Sequence, residues 1–296
     1  MTMRKRVYLG LGLYVALTVV TVVVFGFSRV DNESFQPQNE FKLTPFVDLG
    51  LLSINKAVIY VILAAALTVG TMLYVANRMQ QRPNRVQTAV EMAFGLMRDN
   101  IAGGNMDRAT AAKWFPLIGT LFLFIWFSNM IGYLPLPTNT EHPVVIGGVE
   151  IPSLALYAAT ANISVPLVLA LIVWISYNVA GVRQHGAIGY LKHLVPAGVS
   201  GPIVPLIFVI ELLSHFLRII SLSVRLFANI LAGHLIILFM GGALVVLLGI
   251  EALGVVTMPA AVAIYLFEVG LVATLQAFIF ATLAAIYLGG AVAEEH

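Results

Sequence analysis

The residues best suited to chemistry in this chain are a few ionisable side chains within its long apolar C-terminal stretch. Between residues 202 and 290, the acidic, basic and histidine residues are Glu211, His215, Arg218, Arg225, His234, Glu251 and Glu268. Two amides, Asn229 and Gln276, add strong hydrogen-bonding groups. Such groups are costly inside a membrane and usually mark ion pathways, proton relays or ligand sites. They are therefore the candidate functional residues.

Four of these residues have a spacing that places them on one face of a helix. We call this face the stripe, and it consists of Glu211, Arg218, Arg225 and Asn229. Their successive intervals of seven, seven and four residues place them within roughly 60° of one another around a helix axis. His234 follows Arg225 by nine residues, so it points to the opposite side of the same helix. One helix is thus predicted to carry a charged stripe on one face and a titratable group on the other.

The two arginines of the stripe need partners, because a guanidinium stays protonated at any workable pH. For a single polar residue, a hydrogen bond across a helix bundle is the plainer interpretation. A mid-helix arginine instead requires water, a carboxylate or a mobile partner. Glu211 and Arg218 are close enough in sequence to compensate each other. Arg225 is about 21 Å along the axis from Glu211, so its counter-ion is expected from another helix or another subunit.

His234 and Glu268 lie on consecutive apolar segments that are predicted to form a hairpin. Histidine exchanges protons near neutral pH, and a buried glutamate is a second titratable group. A pair of this kind beside water makes a proton relay. The residues alone equally allow a static buried hydrogen bond.

The composition indicates that lipid surrounds the elements that position these groups. Hydrophobic residues make up 60% of the chain and charged residues 10%, whereas soluble domains carry about 25% charged residues. A net charge of +2 gives no indication of nucleic-acid binding. The absence of cysteine excludes disulfides and thiolate metal sites. Gly103 and Gly104 lack a following Lys-Ser/Thr, so they form no phosphate loop, and no cofactor or metal is expected.

The hydropathy pattern predicts an all-α polytopic membrane protein with about five to six transmembrane helices, since each crossing needs roughly 20 apolar residues. The apolar segments are about 7–27, 57–76, 114–134, 154–178, 203–240 and 260–291. The last two form a long, tilted C-terminal hairpin interrupted at Gly241-Gly242 and at Glu251 to Pro259. Residues 51–296 are assigned to the membrane domain, and 1–50 to an N-terminal helix and an outer-side loop.

The basic residues indicate a single orientation, because they concentrate in loops that face the cytoplasm. They occupy alternate loops at Arg4, Lys5, Arg6, Arg78, Arg82, Arg85, Arg98, Arg108, Lys113, Arg183 and Lys192. Both termini are therefore predicted to be cytoplasmic if the first segment is retained. That segment is typical of either a membrane anchor or a cleaved signal peptide, and the anchor is favoured because its apolar stretch is long.

The segment Pro83 to Asn100 mixes polar and apolar residues. Val86, Val90, Phe94 and Met97 recur at helical spacing, which favours an amphipathic helix lying on the membrane surface. A solvated connector is the alternative.

Two motifs resemble the subunit a family of F-type ATP synthases, and they are SLSVRLFANILAGH (221–234) and TLQAFIFATLAAIYL (274–288). FPLIGTLFLFIWFSNMIGYLP (115–135) and the weaker GYLKHLVP (189–196) extend the resemblance. It implies that Arg225 faces a rotating ring of c subunits. It also implies that Glu211, Arg218, Asn229, His234, Glu268 and Gln276 take part in proton translocation.

The resemblance further implies a non-catalytic stator subunit that forms two aqueous half-channels against the c-ring. Its expected partners are the c-ring, the peripheral-stalk subunit b, the rest of the ATP synthase and the lipid bilayer of a bacterial inner membrane. A secondary transporter is one alternative, and it would predict inverted repeats, which the sequence lacks. A scaffold subunit of a respiratory complex is the other, and it would not need an unpaired mid-helix arginine.

Overall fold

The computed structural model describes residues 45–48, 53–78, 84–134, 144–146, 149–151, 158–195, 201–243 and 254–293, together with positions 16 and 43. The predicted first apolar segment lies outside these residues. Five helices among the described residues are long and apolar enough to cross a membrane. The prediction of an all-α polytopic fold is therefore confirmed.

Seven α-helices and four short strands are labelled here in chain order. The helices are α1 Lys56–Arg78, α2 Arg85–Gly95, α3 Arg108–Gly132, α4 Ser164–His193, α5 Val204–Leu238, α6 Gly254–Phe267 and α7 Ala273–Val292. The strands are β1 Pro45–Asp48, β2 Ser53–Asn55, β3 Val144–Ile146 and β4 Val149–Ile151. Wider π-helical turns follow three of the helices, at Leu96–Ala102, Phe239–Ala243 and Glu268–Val272.

The structure contains an α-helix within the predicted amphipathic segment. Helix α2 begins after Asn84, whose side chain accepts a hydrogen bond from the Gln87 amide, as a good N-cap does. Met97 is buried, and the ring of Phe94 contacts that of Phe115 on α3 at 4.5 Å. The apolar side of this segment thus packs on a neighbouring helix, and its placement on a membrane surface stays a prediction.

Helix α3 begins at a strong cap. The Asp107 carboxylate accepts hydrogen bonds from the amides of Ala109 and Thr110 at 3.0 and 3.1 Å. Hydrogen bonds from the side chain and backbone of Thr110 lower the pKa of Asp107 below its usual value, because they favour the charged carboxylate. The cap fixes where the chain turns into the helix.

Two predicted segment boundaries are wrong. Helix α4 starts at Ser164, later than the predicted 154, and it continues to His193 across a kink at Gly186. Gly186 has a φ of 73°, a left-handed conformation that glycine adopts without strain. The interruption predicted to extend to Pro259 ends earlier, because α6 begins at Gly254 and includes that proline. Near a helix start, a proline removes one backbone hydrogen bond, because it has no N–H group, but it does not end the helix.

Two antiparallel hairpins were not predicted. Strand β1 pairs with β2, and β3 pairs with β4. The sequence does contain a signal for the second hairpin, since a Gly-Gly pair separates the two β-branched runs. In so apolar a chain, these three- and four-residue strands are too short to produce a periodicity signal.

The described contacts divide the chain into two compact units. The larger unit comprises Pro45–Pro135, Leu156–Ile230 and Leu271–His296. In it, α7 packs against α3 and α4, and α1 packs against α3. The packing face of α7 consists mainly of small residues with no exposed surface, at Ala273, Ala277, Ala281, Ala284 and Ala285. Small residues let helix backbones approach closely, as membrane helices require.

The smaller unit comprises Met1–Thr44, Leu136–Ala155 and Leu231–Gly270. Within it, the π-helical turn Phe239–Ala243 packs against α6. Glu268 lies against Gly233, near the end of α5. The chain therefore folds back on itself here, in agreement with the predicted hairpin.

Candidate functional site

The first half of the predicted stripe is an ion pair. Arg218 Nη2 lies 3.1 Å from Glu211 Oε1, a distance at which the guanidinium donates a charge-assisted hydrogen bond. The two residues are separated by two helical turns of α5, and both side chains are about one-third exposed. The structure therefore brings together the two charges that the sequence predicts to compensate each other.

Arg225 differs from Arg218 in its surroundings. Its side chain is exposed, and so is that of Asn229 one turn later. An adjacent side of α5 is packed, because Leu222, Leu226 and Ile230 are almost completely buried. Among the described residues, no carboxylate forms a salt bridge with Arg225. This arginine is thus held outward from the packed face of its helix.

A cavity of about 290 Å³ opens beside the ion pair. Its polar lining comes from three helices, with Tyr177 and Tyr190 on α4, Glu211, His215 and Arg218 on α5, and Tyr287 on α7. The Arg218 guanidinium carbon lies 5.2 Å from the centre of the Tyr287 ring, within the range of a cation–π contact. Two contacts therefore hold the arginine, while the cavity leaves room for water.

Sequence reasoning did not assign a role to His215 or to the three tyrosines of this cavity. His215 follows Glu211 by four residues and precedes Arg218 by three, so helical spacing places it near the stripe. This spacing could have placed His215 near the stripe from the sequence alone. The tyrosines come from two other helices, and no local spacing connects them to α5.

Gln276 is buried on α7, and the start of this helix is fixed by hydrogen bonds to α3. Asn129 donates a hydrogen bond to the Ala273 carbonyl at 3.1 Å. The same side chain accepts one from the Thr160 hydroxyl at 2.7 Å. Because Asn129 is fully buried, these bonds form away from solvent and set the position of the helix turn that carries Gln276.

The smaller unit holds the predicted histidine–glutamate pair. Glu268 is buried, and its carboxylate occupies the space where a side chain at Gly233 would begin. His234, the next residue, is half-buried. The absence of a side chain at Gly233 thus allows the acid to approach the segment of α5 that carries the histidine.

A family comparison covers these elements. A sequence model of the family described as ATP synthase A chain matches residues 58–289, which include the stripe, Glu268 and Gln276. The chain belongs to the ATP synthase A chain family.

Curated relatives agree with this ATP synthase A chain membership, and each is named ATP synthase subunit a. The protein of Myxococcus xanthus is 36% identical over 83% of this chain and 75% of its own length. That of Bradyrhizobium diazoefficiens is 34% identical over 88% of this chain and 98% of its own. That of Rubrobacter xylanophilus is 37% identical over 80% of this chain and 83% of its own. The similarity therefore extends over most of the chain.

Proposed function

We propose that this chain is the proton-conducting stator of a bacterial F-type ATP synthase and faces a rotating ring of c subunits. One observation carries the proposal. Arg225 projects from the outward side of α5, and no salt bridge to a described carboxylate neutralises it. A permanent cation held in this way suits a carboxylate that is brought to it by another subunit.

The mechanism follows from the charge of Arg225. A ring carboxylate that has been neutralised by a proton can turn through lipid, whereas an ionised one is attracted to the guanidinium. The arginine therefore favours release of the proton as each ring subunit passes, and it blocks direct leakage between two aqueous half-channels. The membrane potential supplies about 2.3 kcal/mol per charge for each 100 mV. The exposed Asn229 is proposed to line this interface, and the buried Gln276 is proposed to supply a hydrogen-bonding group near it.

One half-channel is proposed to lie at the cavity beside the Glu211–Arg218 ion pair, and the other at the His234–Glu268 pair. The cavity with Glu211 and Arg218 would connect the ring to the cytoplasm, because the loop between α4 and α5 is predicted to be cytoplasmic. His234 and Glu268 would relay protons from the opposite side of the membrane. In this arrangement the chain makes no ATP itself and works with the c-ring, subunit b and the rest of the complex in the bacterial inner membrane.

A reconstitution experiment tests the proposal. The purified chain is placed in liposomes with and without its c-ring, and proton flux is measured under an imposed potential. A stator conducts protons only with the ring. Flux without the ring would indicate a secondary transporter, and the absence of flux in both samples would indicate a scaffold subunit. Either result would overturn the proposal.

The Gly233→Ala variant is expected to slow proton flux without unfolding the protein. A Cβ atom at this position would overlap the Glu268 carboxylate. Because the carboxylate is the tip of a flexible side chain, it can move aside and leave the backbone in place. Passive proton flux through the reconstituted complex should fall severalfold while the thermal unfolding midpoint changes little.

Gly241→Ala is the matched control for this prediction. Gly241 lies in the same unit, and a Cβ atom there would meet nothing within 4 Å. This variant should conduct like the wild type. Equal flux in the two variants would show that the position of the Glu268 carboxylate does not limit conduction.

A further inference from the structure

His215 is the buried histidine of the cavity beside the Glu211–Arg218 ion pair. Its side chain is 7% exposed, and its Nδ1 atom lies 3.1 Å from the Tyr177 hydroxyl. The Tyr177 and Tyr190 rings contact the imidazole at centroid distances of 5.5 and 6.5 Å. The histidine is thus held in one orientation at the wall of a space large enough for several waters.

The titratable and charged groups around His215 come from all three helices that line the cavity. Helix α4 contributes Tyr177 and Tyr190, α5 contributes Glu211 and Arg218, and α7 contributes Tyr287. Arg218 is a fixed cation, and tyrosine hydroxyls ordinarily keep their protons at neutral pH. The groups able to exchange a proton there are therefore Glu211 and His215, which are one helical turn apart on α5.

We propose that His215 is a second proton acceptor in this cavity and passes protons between Glu211 and the water at the mouth. The inference rests on the proposed stator function and adds a residue to one of its half-channels. With Nδ1–H donating to the Tyr177 oxygen, Nε2 keeps its lone pair. Nε2 takes the proton from the Glu211 carboxyl group through cavity water, which leaves a carboxylate and an imidazolium. Water at the mouth then removes that proton and restores the neutral ring.

The pH dependence of conduction follows from this role. A histidine accepts a proton only while it is neutral, and histidines ordinarily change charge between pH 5 and pH 8. Acidification on the cavity side protonates His215 and places a second positive charge beside Arg218. The contribution of His215 to proton exit is therefore present at pH 8 and is lost as the pH falls to 5.

The His215→Gln variant tests the proposal. Glutamine retains a polar group that can hydrogen-bond to Tyr177 but binds no proton in this range. The chain is reconstituted with its c-ring, and potential-driven proton flux is measured while the pH on the cavity side is varied. We expect the flux of the variant to be about fivefold below that of the wild type at pH 8 and to converge with it at pH 5. A constant ratio at every pH would indicate a structural role and overturn the proposal.

Tyr177→Phe is the second variant, because it removes the hydrogen bond and keeps the titratable ring. It should retain the pH-dependent fall of the wild type. If it behaved like His215→Gln, the hydrogen bond would be the important feature and the proposal would be wrong. Wild-type protein without ring-dependent flux overturns the stator function and this role together, whereas a conducting wild type with an unchanged His215→Gln variant overturns only the role of His215.

Discussion

Replacing Arg225 with alanine is expected to abolish proton-driven ATP synthesis while the complex still assembles. The side chain is exposed on α5, so its truncation leaves no cavity in the packed core of the larger unit. What disappears is the charge that draws the ring carboxylate into its ionised form. Without this charge, the ionised form of the ring carboxylate is no longer stabilised at the stator. The ring subunit then keeps its proton, and proton flow is no longer coupled to rotation.

The Arg225→Lys variant should fail almost as completely, although it keeps a positive charge at neutral pH. An ammonium is a compact point charge that loses its proton when it is desolvated, whereas a guanidinium stays charged. At the proposed interface with the c-ring, the side chain at position 225 would lose water each time a ring subunit passes. Lysine is therefore an insufficient substitute for the permanent cation.

Arg183→Ala is the matched control for both changes. Arg183 is also exposed, but it lies on α4, whereas the stripe lies on α5. The control loses the same charge and should synthesise ATP normally. The measurements are ATP synthesis in inverted membrane vesicles and the subunit content of the purified complex. Sustained synthesis by Arg225→Ala would remove the basis of the proposed function.

The charged stripe was predictable from the sequence because it depends on one helix. Within an apolar run, Glu211, Arg218 and Arg225 have few possible partners, and their seven-residue spacing fixes them to one face. The structure adds the direct contact between the first two and the outward position of the third. Helical geometry alone therefore predicts which of these residues share a face.

The cavity was not predictable, because it depends on how three helices meet. Tyr177 reaches His215 from a position 38 residues earlier in the chain, and Tyr287 reaches Arg218 from the last helix. Hydropathy predicts where these helices run but gives no information on their rotation about their own axes. That rotation decides which side chains share a cavity.

The errors at helix boundaries have a similar origin. Residues before Ser164 are apolar, so hydropathy extended the predicted span toward the N-terminus. The structure instead places a short 3₁₀ turn at Ala159–Ala161, where Thr160 bonds to the buried Asn129. This tertiary hydrogen bond links segments 31 residues apart, a separation at which local sequence patterns give no information.

The same contact region provides the prediction with the largest expected effect on stability, the Gly132→Ala substitution. Gly132 ends α3, and a Cβ atom there would lie 2.6 Å from the Cα atom and 2.8 Å from the amide nitrogen of Ala158. Both are backbone atoms of a fully buried residue, so no side chain can move aside. Overpacking of this kind costs about 1–3 kcal/mol. We expect the thermal unfolding midpoint of the purified chain in detergent to fall by several degrees.

Gly70→Ala separates this effect from the general cost of changing a glycine in a membrane helix. Gly70 is exposed in the middle of α1, and a Cβ atom there would meet nothing within 4 Å. Because alanine favours a helix interior over glycine by up to about 1 kcal/mol, this variant should be at least as stable as the wild type. If the two variants unfolded at the same temperature, the close approach of α3 to Ala158 would not contribute to stability. The expected difference arises because an added methyl group forces the backbone at Ala158 away from α3, and with it the turn that positions Thr160 against Asn129.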